Sequence, residues 1–174
     1  MPGYVRPARF DSRSWRVILI ICFTHPNSAR SKLGFRVFSP GMSAKLEIGR
    51  AYSLQTRVEE WMTAEKAGNK GVDVLSTSML VQLVETAALA CIEPALGPDL
   101  VSLGTHIDLE HHKPVPVGFI VRTEVEVVMV DGPRLSFAVA VFDEQEAVAE
   151  GTHERYLIER SKFLAKLEEK LASG

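Results

Sequence analysis

The sequence predicts an α+β fold in which an antiparallel sheet curves around one long apolar helix. Its 174 residues suffice for one ordinary hydrophobic core and are few for two. In a single long segment, apolar residues recur every three or four positions, as they do on the buried face of a helix. The segments after it alternate apolar and polar residues, as strands do. No second long helix separates these strands, which argues against a doubly wound parallel sheet.

The first predicted element is a strand, and a helix follows it after a polar loop. Residues 52–58 alternate in the way expected of a half-buried strand. Apolar residues then recur over 80–91 at spacings of three and four, which predicts a helix apolar enough to be buried. Hydroxyl residues at 76–78 can cap the start of this helix, and Pro94 ends it.

Four further strands are predicted after the helix. Their alternating segments span 103–111, 121–129, 135–141 and 147–158. The Asp131-Gly132 pair marks a tight turn between the second and third of these segments. Short turns join neighbouring antiparallel strands, so we expect one antiparallel sheet.

A closing amphipathic helix is predicted over 161–172. We expect Phe163, Leu164, Leu167 and Leu171 on its apolar face to point inward. The order of strand, long buried helix, four strands and closing helix is typical of the hotdog architecture. Such a sheet usually needs a partner subunit to complete its edge and its ligand site, so we expect a homodimer.

Charge is distributed unevenly along the chain. Residues 1–41 hold seven arginines and lysines against Asp11 alone, a net charge of +6, whereas the whole chain carries −2. Residues 42–174 therefore carry −8, which argues against nucleic acid as the ligand of the folded part. The two cysteines, Cys22 and Cys91, suggest neither a disulfide framework nor a metal cluster, so a reducing, cytoplasmic location is the default expectation.

The basic extension, residues 1–41, allows three interpretations. Its apolar run 17–23 is too short to span a bilayer. The run could belong to a secretory signal peptide, although no small-residue cleavage motif follows it, or the arginine-rich stretch could be an organellar transit peptide. The third interpretation, which we favour, is an upstream start choice with Met42 as the natural first residue. In all three, residues 42–174 form the folded domain.

Glu85 is the first candidate for chemistry, because it stands among apolar residues of the predicted helix. A carboxylate there needs a partner or a raised pKa, unless it simply faces solvent. Thr77 lies eight residues earlier, about 12 Å along a helix axis, so the two side chains cannot touch along the helix. Thr77 is expected at the helix mouth, where its hydroxyl and the helix dipole could meet a polar group; a plain N-cap is the alternative.

His111 lies on the face of its strand that is expected to point at the helix, where it could meet Glu85. A carboxylate and an imidazole together suit the activation of water. Metal binding by His106, His111 and His112 is a weaker alternative, because no carboxylate or cysteine spacing supports it. We therefore expect neither a metal nor a cofactor.

Two glycine-bearing stretches complete the candidates. In 102–105, Gly104 would let a backbone N–H approach a ligand carbonyl closely. In 151–155, Gly151 could mark a bulge in the last strand. Neither stretch is a phosphate cradle or a nucleophile elbow.

Taken in order, these blocks resemble the fluoroacetyl-CoA thioesterase group of the hotdog superfamily over roughly residues 49–170. The resemblance implies hydrolysis of an acyl-CoA thioester, with Glu85 as base or nucleophile, His111 as proton-transfer partner and Thr77 as a polar positioner. It also implies that Gly104 lies beside the substrate carbonyl and that Arg155 binds substrate or supports the site. A homodimer with CoA along the subunit interface is implied as well, and further pairing of dimers into a higher oligomer stays open.

One departure from that group concerns the substrate. The fluoroacetyl-specific enzyme carries phenylalanines ahead of the threonine, whereas residues 67–73 here contain no aromatic residue. This favours a general or differently specialised acyl-CoA thioesterase over a fluoroacetyl-specific one. A hotdog dehydratase, which also uses a histidine with a carboxylate, and a non-catalytic acyl-CoA-binding protein are the alternatives. Neither nucleic acid nor a membrane is expected as a partner.

Overall fold

The structure is a computed structural model that describes residues 46–174, so the basic extension and its boundary at Met42 lie outside the described residues. The described elements follow the predicted order. They are β1 (Ala51–Arg57), α1 (Thr77–Ile92), β2 (Leu100–His111), β3 (Ile120–Asp131), β4 (Arg134–Phe142), β5 (Ala147–Glu159) and α2 (Arg160–Ala172).

The five strands form one antiparallel sheet in the order β1-β3-β4-β5-β2. β3 and β4 meet at a tight turn in which Asp131 pairs with Arg134, and Gly132 adopts the left-handed conformation that the turn requires, with φ 55°. β2 is an edge strand, and no other strand of the described part of the chain pairs with its outer side. The predicted α+β fold, an antiparallel sheet with a central helix and a C-terminal helix, is confirmed.

Helix α1 supplies the centre of the core. It begins after Ser76, whose Oγ accepts a hydrogen bond from the backbone N–H of Met79 at 3.2 Å, the usual bond of an N-cap. Its buried face packs with the apolar residues of the sheet, among them Phe137 and Val139 of β4. The stretch Thr77–Ala95 has the length and apolar composition of a membrane span, as the core helices of soluble proteins also can. The buried residues of α1 are Leu80, Leu83, Val84, Ala87, Ala88, Cys91 and Ile92.

Helix α2 does not bury its apolar face, so the prediction of inward leucines is wrong for the described chain. Leu164, Leu167 and Leu171 are 47%, 43% and 74% exposed, and no residue of α2 is buried. The helix starts directly at the end of β5, where Glu159 pairs with Leu100 at the start of the edge strand. Amphipathic spacing predicts an apolar face but not what covers it.

A register shift in β2, between Gly104 and His106, decides which residues face α1. Side chains alternate along a strand, so one extra residue moves all later residues to the other face. Gly104 before the shift and His111 after it therefore both point towards α1. The bulge predicted at Gly151 is not there, because Gly151 pairs in continuous register with Leu109.

Candidate active site beside the edge strand

The carboxylate of Glu85 lies in a polar cluster between α1 and the two strands β2 and β5. Its Oε2 accepts a hydrogen bond from Nη1 of Arg155 and lies 3.3 Å from Nε2 of His153. The side chain of Glu85 is still 39% exposed. The carboxylate is thus held on one side and open to solvent on the other.

Arg155 is buried and is held by groups on β2. Its Nε donates to Oγ of Ser102 at 2.8 Å, and its Nη2 donates to the backbone carbonyl of Ser102 at 2.9 Å. Burial lowers the pKa of Arg155, while the neighbouring Glu85 carboxylate opposes that shift. A guanidinium with this many fixed bonds acts as a rigid clamp on Glu85. Two roles were predicted for Arg155, substrate binding and support of the site. Its burial favours support of Glu85 over direct contact with substrate.

His153 is a member of the cluster that sequence reasoning missed. Its side chain is fully buried, its Nδ1 lies 2.8 Å from the backbone carbonyl of His106, and its ring stacks on Phe137 with centroids 6.0 Å apart. Burial lowers the pKa of His153 and outweighs the opposing effects of its partners. The two-residue spacing from His153 to Arg155 could have indicated a shared face, since alternate residues of a strand lie on the same side.

Gly104 is required by the position of Glu85. A Cβ atom built on Gly104 would lie 2.7 Å from the carboxyl carbon of Glu85 and closer still to its Oε1. Only a glycine leaves room for the carboxylate to approach the strand backbone so closely. Oε1 therefore rests over β2, where no hydrogen-bond donor from the described residues reaches it.

Thr77 and His111 form a second cluster at the N-terminus of α1. Oγ1 of Thr77 and Nδ1 of His111 are 3.0 Å apart, within hydrogen-bond distance. Burial lowers the pKa of His111, and its Nε2 is buried without a hydrogen-bond partner among the described residues. A cavity of about 380 Å³ opens beside this pair.

The predicted contact between His111 and Glu85 is wrong within one chain. His111 contacts Thr77, whereas the imidazole next to Glu85 is that of His153. The predicted N-cap alternative for Thr77 is wrong as well, because Ser76 caps the helix and leaves the Thr77 hydroxyl to His111. Nor does the described range bring three possible ligands together for a metal ion, so a metal site at His106, His111 and His112 has no support.

Comparison with known proteins decides the family. The sequence profile of the fluoroacetyl-CoA-specific thioesterases matches residues 58–161, which is more than half of the chain. The chain belongs to this family. It is 37% identical over 102 residues to the fluoroacetyl-CoA thioesterase of Streptantibioticus cattleyicolor, a span that covers 59% of this chain and 73% of that protein. The resemblance seen in the sequence and the predicted thioesterase class are confirmed by this membership.

Solved structures of the family agree with the fold. A fluoroacetyl-CoA-specific thioesterase superposes with a TM-score of 0.68 at 30% identity, over 72% of this chain and 98% of that one. Variants of that enzyme have been solved with fluoroacetate and CoA and with acetyl-CoA. A Thermus thermophilus thioesterase superfamily member superposes with a TM-score of 0.68 at 22% identity, over 75% of this chain and 98% of that one, which supports the fold alone.

Proposed function

We propose that the protein hydrolyses acyl-CoA thioesters with Glu85 as its catalytic carboxylate. The observation that carries this proposal, in a chain of a thioesterase family, is the asymmetric setting of Glu85. Its Oε2 is clamped by Arg155, while Oε1 is the oxygen nearer to Gly104 and accepts no hydrogen bond from the described residues. A carboxylate whose orientation is fixed in this way suits a base or a nucleophile acting at a carbonyl.

In the proposed reaction, Glu85 takes a proton from water while the water oxygen adds to the thioester carbonyl. The tetrahedral intermediate then collapses and the C–S bond breaks. The proton that Glu85 took from water passes to His111 and from there to the departing CoA sulfur, so both residues return to their starting protonation states. The backbone at Gly104 faces the substrate carbonyl. If Glu85 attacks the carbonyl itself, the same groups serve, and water then hydrolyses the resulting mixed anhydride.

We further propose a homodimer in which two chains complete each site. Within one chain, Thr77 and Glu85 are eight residues apart on α1, about 12 Å along its axis. The outer side of β2, a strand of 12 residues, has no partner among the described strands, and such an edge is a template for pairing. Antiparallel pairing of two β2 strands about a twofold axis would bring His111 of the partner subunit towards Gly104 and Glu85.

The acyl group that we propose is larger than fluoroacetyl. The cavity beside Thr77 and His111, at about 380 Å³, falls in the range of small-molecule pockets. Its lining from the loop ahead of α1 consists of short side chains such as Ala64, Ala67 and Asn69, and no phenylalanine, tyrosine or tryptophan of the described residues lines it. A two-carbon acyl group would leave most of this space unfilled and would forgo the dispersion contacts that a larger group makes.

Release of free CoA from a panel of acyl-CoAs tests the reaction and the substrate together. The panel should include fluoroacetyl-CoA, acetyl-CoA and branched and aromatic acyl-CoAs. We expect the larger acyl groups to have the higher kcat/KM, and Glu85→Gln or His111→Ala to lower it by about 10² to 10⁴. Glu93→Gln, at an exposed glutamate just beyond α1, is the matched control and should leave activity unchanged.

Three other outcomes would contradict the proposal. Full activity in both Glu85→Gln and His111→Ala would remove the site assignment. Interconversion of hydroxyacyl and enoyl thioesters without CoA release would indicate a dehydratase. Thermal stabilisation by acyl-CoA without any turnover would indicate a binding protein.

Mixing two inactive variants tests the composite site. When Glu85→Gln and His111→Ala chains are unfolded together and refolded, random pairing makes half of the dimers mixed. A mixed dimer has one intact site if Glu85 and His111 come from different chains, so about a quarter of wild-type activity should return. No recovery, or a monomer by ultracentrifugation, would refute the shared site.

A further inference from the structure

His153 is a fully buried imidazole that the proposed reaction does not use. It lies beneath Glu85, and groups from three strands surround it: the His106 carbonyl of β2, the Phe137 ring of β4 and the Arg155 guanidinium of β5. Burying a polar ring is costly unless its hydrogen bonds are made, so such a group in a small domain calls for an explanation.

The contacts of His153 fix its tautomer. A carbonyl oxygen only accepts hydrogen bonds, so Nδ1, at 2.8 Å from the His106 carbonyl, carries the proton. In the neutral ring, which burial favours, Nε2 then holds a lone pair. Two groups lie near this nitrogen: Oε2 of Glu85 at 3.3 Å and Nη1 of Arg155 at 3.4 Å. A carboxylate oxygen only accepts, so the lone pair of Nε2 can bond the guanidinium and not the carboxylate. His153 is thus a hydrogen-bond acceptor for the guanidinium that holds Glu85.

We propose that His153 is a positioning residue which orients Nη1 of Arg155, so that Oε2 of Glu85 is anchored and Oε1 is the oxygen that reacts. Nη1 is the guanidinium nitrogen that meets Glu85, since Nε and Nη2 are taken up by Ser102. Nη1 bonds His153, whereas Nε and Nη2 bond Ser102, and the carboxylate cannot rotate without breaking its bond to Nη1. This inference rests on the proposed role of Glu85.

Oε1 and Oε2 therefore have different tasks. Oε2 loses electron density to the Arg155 bond, whereas Oε1 keeps its lone pairs free over Gly104. An acceptor without a donor is the stronger base of the two. The reaction then takes place at Oε1, the carboxylate oxygen that is nearer to Gly104 and is not bonded to Arg155.

Two amide variants separate the two nitrogens of His153. In His153→Asn, the side-chain amide can take the place of Nδ1 and bond the His106 carbonyl, but it does not extend to Arg155. In His153→Gln, the amide oxygen can reach the place of Nε2 and accept from Arg155, while the His106 carbonyl loses its donor. We expect Asn to lower kcat by about 10- to 100-fold with little change in KM, and Gln to keep most of kcat.

A purely structural role predicts a different pattern. Each variant leaves one polar group of the cluster unpaired, so both variants should have a lower melting temperature. If packing alone matters, kcat should fall in proportion to the melting temperature in both variants. Equal kcat values in the Asn and Gln variants, or full kcat in the Asn variant, would overturn the inference. Glu93→Asn and Glu93→Gln, at the exposed glutamate just beyond α1, are the control and should change neither quantity.

A measurement on the wild-type protein keeps the inference testable if the variants do not fold. Nitrogen-15 NMR of the imidazole side chains at pH 7 should show His153 as the neutral Nδ1–H tautomer; an imidazolium or an Nε2–H tautomer would overturn the inference. Activity in Glu85→Gln separates the two claims. An inactive Glu85→Gln with a fully active His153→Asn refutes only the role of His153, whereas an active Glu85→Gln refutes the proposed function.

Discussion

Replacing Gly104 with alanine should displace the Glu85 carboxylate without unfolding the protein. The new Cβ would lie 2.7 Å from the carboxyl carbon, where ordinary contacts begin at 3.4 Å, so that carbon must retreat by about 0.7 Å and Oε1 by more. The obstructing group is a side-chain carboxylate that is 39% exposed, not backbone, so it can shift towards solvent while its bond to Arg155 weakens. The fold itself can stay intact. A misplacement of about 1 Å in a reacting group can lower the rate about 100-fold, which is about 2.7 kcal/mol in the activation free energy.

Steady-state kinetics of CoA release, with urea unfolding of the same samples, tests this reasoning. We expect kcat/KM of Gly104→Ala to fall about 100-fold while the free energy of unfolding changes by less than about 1 kcal/mol. Gly97→Ala is the matched control, because a Cβ there meets nothing within 4 Å and the backbone is not left-handed. Wild-type kcat/KM in Gly104→Ala would show that the reactive carboxylate does not lie over this strand.

Three further predictions concern the neighbouring residues. Gly151→Ala should destabilise the protein by about 3 kcal/mol in urea unfolding, because its Cβ would lie 2.9 Å from the backbone carbonyl carbon of Asp108. Strand backbone cannot move aside as a side chain can. An unchanged urea midpoint of unfolding would contradict this prediction. Thr77→Val should lower kcat by about 10- to 100-fold while Thr77→Ser keeps most of kcat, since only valine lacks the hydroxyl that contacts His111. Equal kcat values in the two variants would show that the hydroxyl has no role. The free energy of unfolding should fall as the pH drops below 6.5, because the pKa of His153 is lowered on folding and the unfolded chain then binds a proton that the folded chain does not. Urea unfolding from pH 7.5 to 5 should show a weaker pH dependence in His153→Asn than in the wild type. An identical pH dependence would contradict the assignment.

The elements of the fold could be predicted from the sequence because their signals are local. The spacing of apolar residues over 80–91 predicted α1, and Asp131-Gly132 predicted the turn between β3 and β4, where Gly132 has the expected positive φ. Pattern alone failed for α2, whose leucines are exposed, because an apolar face does not specify its covering.

Chemical identity also came from the sequence, since the order and spacing of the motif blocks indicated the thioesterase family. The tertiary structure decided which side chains meet. It placed His153 rather than His111 beside Glu85, because residues 68 positions apart in the chain come together only when α1 packs over the sheet. It also put Gly104 and His111 on one face through a register shift that no residue pattern had indicated. Local patterns fix periodicity, whereas the contacts of an active site depend on strand register and on how the helix packs over the sheet.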